Sequence, residues 1–231
     1  MTSKSRIIIA LDYAQQKLAD ELIEQLDPKV CRLKVGKEMF TTLGPKFVES
    51  LVAKGFDVFL DLKFHDIPNT VARACSAACD LGVWMLNVHA SGGRQMMEAA
   101  KESIDKSSHQ PLLIAVTILT SLDDAALHEI GYIGSSADNV LRLAKLTQSS
   151  GLDGIVCSAQ EASQLRSSLG DDFVLVTPGI RLAGGDAGDQ RRVMTPADAI
   201  SAGASYLVMG RPITQAENPM SVLNSAEKEI G

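Results

Sequence analysis

Eight short apolar runs recur along the chain with helical stretches between them, and this alternation limits the fold more than any other feature. The runs are RIIIALD from Arg6, VCRLKVG from Val30, DVFLDLK from Asp57, WMLNVHA from Trp84, PLLIAVTIL from Pro111, GIVCSA from Gly154, VLVTPGI from Val174 and YLVMGR from Tyr206. Each has strand composition. Between them QQKLADELIEQL, GPKFVESLVAKG, VARACSAACDLG, RQMMEAAKESI, NVLRLAKLTQSSG and EASQLRSSLG read as helices, mostly ending at Gly or a polar turn. Strict strand and helix alternation implies parallel pairing through crossover helices. Eight such units in 231 residues fit an α/β fold of the (β/α)8 barrel type, in a single domain, better than a doubly wound sheet. Only the gap between the fifth and sixth runs is wide. Its insertion, SLDDAALHEIGYIGSSAD, predicts a short extra helix at the top of the barrel.

Composition narrows the function. At 45% hydrophobic content the chain can bury one large core, and no linker or low-complexity tract marks a second domain. A net charge of -6 argues against nucleic acid or an anionic membrane as partner, so an anionic ligand must be held by a few local cations. Cys31, Cys75, Cys79 and Cys157 form no CxxC and no zinc-like spacing, and read as free thiols. The opening MTSKSRIIIALD is too short for a signal core or a membrane span, which suggests a cytoplasmic protein.

A barrel keeps its chemistry at the C-terminal ends of its strands. Polar residues gather there: Asp12, Lys34, Asp61 with Lys63, Asn87 with His89, Thr120 with Ser121, Pro178 with Arg181, and Gly210 with Arg211. The opposite ends read mostly as ordinary apolar or turn residues. The densest stretch is DVFLDLKFHDIPNT, where strand alternation places Asp61 and Lys63 on one face, about 6.6 Å apart at Cα. A buried charge needs a partner, so the two should pair, with Asp66 joining from the loop. Parity also turns Arg32 and Lys34 inward, with Asp61 and Asp12 as candidate counter-charges. Beyond the seventh run, three glycines between Gly184 and Gly188 predict a mobile loop over about 181–192. Arg181, Gln190 and Arg211 offer donors where such barrels commonly bind phosphate, and a guanidinium grips phosphate in bidentate fashion. Thr195 and Pro196 read as the cap and first residue of the next helix. His109 and His128 look like surface positions, and His65 and His89 carry only a weak case for a chemical role.

DLKFHDIPNT, with LKVGKEMF before it and TPGIR and MGRPI after it, resembles the orotidine 5'-monophosphate decarboxylase family over essentially the whole chain. That resemblance implies loss of CO₂ from C6 of orotidine 5'-monophosphate to give UMP, with no metal and no organic cofactor. Lys34, Asp61, Lys63 and Asp66 match the family's charged tetrad, and Lys63 its proton donor. Asp12 and Lys34 match contacts on the ribose side and Thr120 a contact on the base side. Arg181, Gln190, Gly210 and Arg211 match the phosphate grip; Ile67, Ser121 and Pro178 complete the implied substrate-facing set. The family is a homodimer in which positions matching Asp66 and Thr70 reach into the neighbouring subunit's site. Two other readings stay open: a magnesium-dependent sister acting on sugar phosphates, which carries Glu at the position of Lys34, and a non-catalytic nucleotide-binding barrel.

Overall fold

The computed structural model describes residues 5–182 and 194–231. Eight parallel strands close on themselves in sequence order: β1 (Ile7–Leu11), β2 (Arg32–Gly36), β3 (Val58–Phe64), β4 (Met85–His89), β5 (Leu112–Val116), β6 (Gly154–Val156), β7 (Val174–Pro178) and β8 (Tyr206–Met209). Closure comes from β1 and β8, with Ile7 opposite Leu207 and Ile9 opposite Met209. The expected barrel is therefore present.

The helices are α1 (Gln16–Ile23), α2 (Lys37–Leu43), α3 (Pro45–Ala53), α4 (Pro68–Asp80), α5 (Arg94–Asp105), α6 (Asp124–Glu129), α7 (Ser136–Ser149), α8 (Ala162–Leu169), α9 (Pro196–Ser201), α10 (Arg211–Thr214) and α11 (Pro219–Ile230). The insertion between β5 and β6 forms α6, as expected. Three helices went unread in the sequence. One of them, α2, stops at Gly44, whose φ of 68° suits glycine, and Pro45 then opens α3. Pro68 opens α4 in the same way, and the Thr195 hydroxyl caps α9 by accepting from the Asp198 amide.

Period-two alternation sorts the core into two shells. Ile7, Ile9 and Leu11 face the helices with Leu33, Val35 and Leu60, while Ile8, Ala10, Phe59, Met85, Ile114 and Val176 fill the barrel interior. All four cysteines are free and buried. At β6 the sheet is closely approached: a Cβ on Gly154 would lie 2.2 Å from the Val174 carbonyl oxygen, so only glycine fits.

The N-terminal end of the barrel corrects the counter-charge read for Arg32. Arg32 does point inward, but its partner is Asp57, with Nε 3.3 Å from Oδ2, rather than Asp12 or Asp61. Its guanidinium carbon lies 4.4 Å from the Trp84 ring centroid and 5.0 Å from that of Tyr206. The aromatic faces lower the cost of burying this cation, and the cluster plugs the floor of the barrel. The cavity bordered by Lys34, Asp61 and Lys63 lies at the other end.

Candidate active site

Asp61, near the C-terminal end of β3, is buried and sits at the centre of the polar groups there. Its Oδ1 lies 2.6 Å from Lys63 Nζ and accepts from Asn87 Nδ2 at 2.7 Å, while its Oδ2 lies 3.4 Å from Lys34 Nζ. Lys34 in turn reaches Asp12 Oδ1 at 3.3 Å. Burial works to raise the Asp61 pKa, but the two ammoniums and the hydrogen bonds from Lys63 and Asn87 outweigh it and hold the carboxyl below its ordinary value. The result is a fixed carboxylate bracketed by two cations.

The geometry that brings Lys63 to Asp61 is not the regular strand that alternation assumes. Between Leu60 and Phe64, β3 advances four residues where its partner β4 advances two, from Leu86 to Val88. Within this bulge Lys63 has φ 54°, and it is the one non-glycine residue in the left-handed region among the described residues. Such a backbone costs roughly 1–2 kcal/mol for an L-residue and persists where its surroundings hold it. Here the Lys63 amide donates to Asn87 Oδ1 at 2.8 Å. Bulges next to active sites re-aim a side chain in this way.

Two cavities meet above this array. The inner one, about 140 Å³, has Lys34, Asp61 and Lys63 on one wall and Val116, Ile118, Leu119 and Thr120 opposite. The outer one, about 200 Å³, is lined by Asp12, Arg181, Gly210 and Arg211. Lys34, Pro178 and Val208 border both, so they form one cleft with an apolar, ion-paired end and a cationic end. A Cβ on Gly36 would lie 3.2 Å from Lys34 Nζ and 3.6 Å from Asp12 Oδ1, crowding that ion pair. A larger surface groove of about 500 Å³, bordered by Ser91, Ile130, Tyr132 and Arg142, shares no residue with this cleft.

His89 ends β4 beside the array, its ring centroid 5.6 Å from that of the exposed His65. Desolvation, then His65, Lys37 and Lys63, push its pKa down to about 4 against a weaker pull from Asp61. Around neutral pH the ring adds no charge to the lysines. Among the described residues, no group of three or more His, Cys, Asp or Glu side chains is placed to hold a metal ion.

The family model described as "Orotidine 5'-phosphate decarboxylase / HUMPS family" matches residues 5–226. The chain belongs to this family. Among orotidine 5'-phosphate decarboxylases, the protein from Hydrogenovibrio crunogenus is 62% identical over 226 residues, covering 98% of this chain and 96% of the relative. That from Hahella chejuensis is 60% identical, covering 100% and 99%. A crystal structure of orotidine 5'-phosphate decarboxylase from Lactobacillus acidophilus superposes with a TM-score of 0.87 at 39% identity, covering 97% of this chain and 98% of that one.

The structure sorts the residues that resemblance to this family singled out. Lys34, Asp61 and Lys63 meet at the inner cavity with Thr120 and Pro178, and Asp12, Arg181, Gly210 and Arg211 border the outer one. Asp66 does not join Lys63 within the chain: it is exposed, and its carboxylate accepts from the Ile67 amide at 2.6 Å. Ile67, at 66% exposure, and Thr70 also face outward where α4 begins. β5 ends at Val116, so Thr120 and Ser121 stand on the loop beyond it, and Ser121 is exposed and borders neither cavity. Gln190 and most of the glycine-rich loop lie outside the described residues. Asn87 was read as a polar strand end but not as part of the site; its parity with His89 and its place beside β3 were the available signal.

Proposed function

We propose that the chain decarboxylates orotidine 5'-monophosphate to UMP and CO₂, with no metal or organic cofactor. The observation that carries this reading is the Lys34, Asp61 and Lys63 array at the inner end of a cleft whose other end carries Arg181 and Arg211. Relatives at 60% identity or more bear the name orotidine 5'-phosphate decarboxylase. The phosphate fits the cationic end, where guanidinium groups bind it. The pyrimidine fits between the charged wall and Ile118, Leu119 and Thr120.

In the proposed step the C6–carboxylate bond breaks, CO₂ departs and the electron pair stays on C6, outside the ring π system. Lys63 Nζ faces that charge and gives C6 its proton, then regains one from water. Two unit charges 4 Å apart at an effective dielectric near 20 interact by about 4 kcal/mol, so one ammonium contributes but does not suffice. Phosphate binding and exclusion of water supply further stabilisation. Asp61, fixed by its cations, stands where the substrate carboxylate must come and disfavours its bound ground state.

Asp66 and Thr70 are assigned to the neighbouring site of a homodimer, a reading supported by their exposure on either side of Ile67. Gln190 is assigned to the phosphate with Arg181, Gly210 and Arg211, and closure of the loop at about 181–192 is part of the same proposal. A cytoplasmic location, the expectation from the sequence, is part of the same proposal.

Ultraviolet spectroscopy of purified protein with orotidine 5'-monophosphate and EDTA tests the reaction. Turnover to UMP that EDTA leaves unchanged is the expected result. No turnover refutes the reading, and turnover lost with EDTA and restored by Mg²⁺ refutes the metal-free step. The donor set favours the first outcome, because the ammoniums of Lys34 and Lys63 flank Asp61 and repel a divalent cation.

A further inference from the structure

Asn87 touches neither cavity, is wholly buried, and yet joins the two groups on which the site depends. Its Nδ2 donates to the Asp61 oxygen that also meets Lys63 Nζ, and its Oδ1 accepts from the Lys63 backbone amide. A carboxamide makes both contacts from one uncharged group, through separate donor and acceptor atoms. A carboxylate would set a second anion against Asp61, and an apolar side chain would leave Asp61 and the Lys63 amide each one bond short.

The placement is specific to the bulge. Asn87 lies on β4 between Leu86 and Val88, the two residues that pair with Leu60 and Phe64 on either side of the irregular segment. Its side chain therefore spans the gap where ladder hydrogen bonds are interrupted. Resting on the decarboxylase reading above, we propose that Asn87 is a positioning residue: it locks the left-handed backbone of Lys63 and the rotamer of Asp61 together, so that the ammonium faces the reacting carbon before substrate arrives. It acts on the chemical step through Lys63 and not on substrate affinity, because the phosphate and ribose contacts are made elsewhere in the cleft.

The first test uses the unmodified protein. Amide hydrogen exchange should find the Lys63 N–H protected to the degree of the ladder amides of β3 and β4, although its strand is broken there. Exchange at the rate of an exposed loop overturns the proposal, and this readout stands whether or not the protein turns over orotidine 5'-monophosphate. The second test is Asn87→Asp, which keeps size and the acceptor for the Lys63 amide but replaces the donor. With folding checked by circular dichroism, kcat should fall about 100-fold, the scale of a small misplacement of reacting groups. KM should change less than about threefold, the pattern of an interaction realised in the transition state. The acidic limb of the kcat–pH profile should also move upward, since Asp61 and the new carboxylate, facing Lys63, Lys34 and His89, would share a proton. A folded Asn87→Asp protein with kcat within threefold of the parent, or a loss confined to KM, refutes the assignment. Should Asn87→Asp not fold, Asn87→Ser gives the same kcat and KM comparison, and the exchange measurement decides alone if neither folds.

Discussion

At the residue scale the protein concentrates charge where water is scarce. Lys63 is expected to dominate the chemistry, and Lys63→Ala should lower kcat/KM by more than roughly 10⁴-fold, because a proton donor and an electrostatic stabiliser vanish together. A loss under tenfold in steady-state kinetics would remove Lys63 from the mechanism. Two other groups contribute to the acid dependence of stability. His89 binds its proton less tightly folded than unfolded, so between its ordinary 6.5 and about 4 the unfolded chain takes up more protons and stability falls as pH falls. The Asp61 carboxyl has the opposite charge type: its depressed pKa contributes stability that is complete above its ordinary 3.8 and lost as pH drops through the lower folded value. Thermal melting against pH should therefore show two declines, and His89→Asn should flatten the one between pH 6.5 and 4 while sparing the one below 3.8. A single decline that His89→Asn does not alter would show that its ring is not held neutral by its surroundings.

At the scale of elements, what the sequence disclosed and what it hid have different physical origins. Strands buried on both faces read as apolar runs, so all eight were visible, and α6 was visible as an insertion with helical composition. Boundaries and exceptions were not. β5 stops at Val116 although TIL continues the apolar run, because Ile118 and Leu119 turn to line the cleft. The Asp61–Lys63 pair was inferred from alternation, yet it forms across a bulge that alternation cannot show, held by an asparagine from the next strand. Arg32 was correctly turned inward, but its aromatic and carboxylate partners come from β3, β4 and β8 entrances that only the closed barrel brings together. Gly154 was likewise mute in the sequence. Its hydrogen-for-methyl economy sets the β6–β7 approach, so Gly154→Ala should push the strands apart at a cost of about 1–3 kcal/mol, the usual range for overpacking. For a domain of this size that is a fall in Tm of about 2–12 °C in calorimetry, and an unchanged Tm would contradict the observed contact.

At the scale of the whole molecule, one chain leaves its proposed site incomplete. The Lys63 ammonium meets Asp61 but not Asp66, while Asp66, Ile67 and Thr70 project from the start of α4 into solvent. If Asp66 serves the neighbouring subunit, the two chains of a dimer exchange a carboxylate, and mixing experiments separate that arrangement from one in which each chain serves itself. Lys63→Ala and Asp66→Ala homodimers should both be strongly impaired, since each carries its defect in both sites. In a mixed dimer with exchange, one site receives Lys63 from the Asp66→Ala chain and Asp66 from the Lys63→Ala chain, and is intact; the other site carries both defects. Refolding the two variants together in equal amounts gives about half mixed dimers, so activity should return to about a quarter of the parent's. Without exchange, each mixed dimer holds one site lacking Lys63 and one lacking Asp66, and mixing restores nothing. Activity that stays at the homodimer level, with mixed dimers verified by differential tags, would place Asp66 in its own chain's site, and an Asp66→Ala homodimer as active as the parent would place it outside the chemistry.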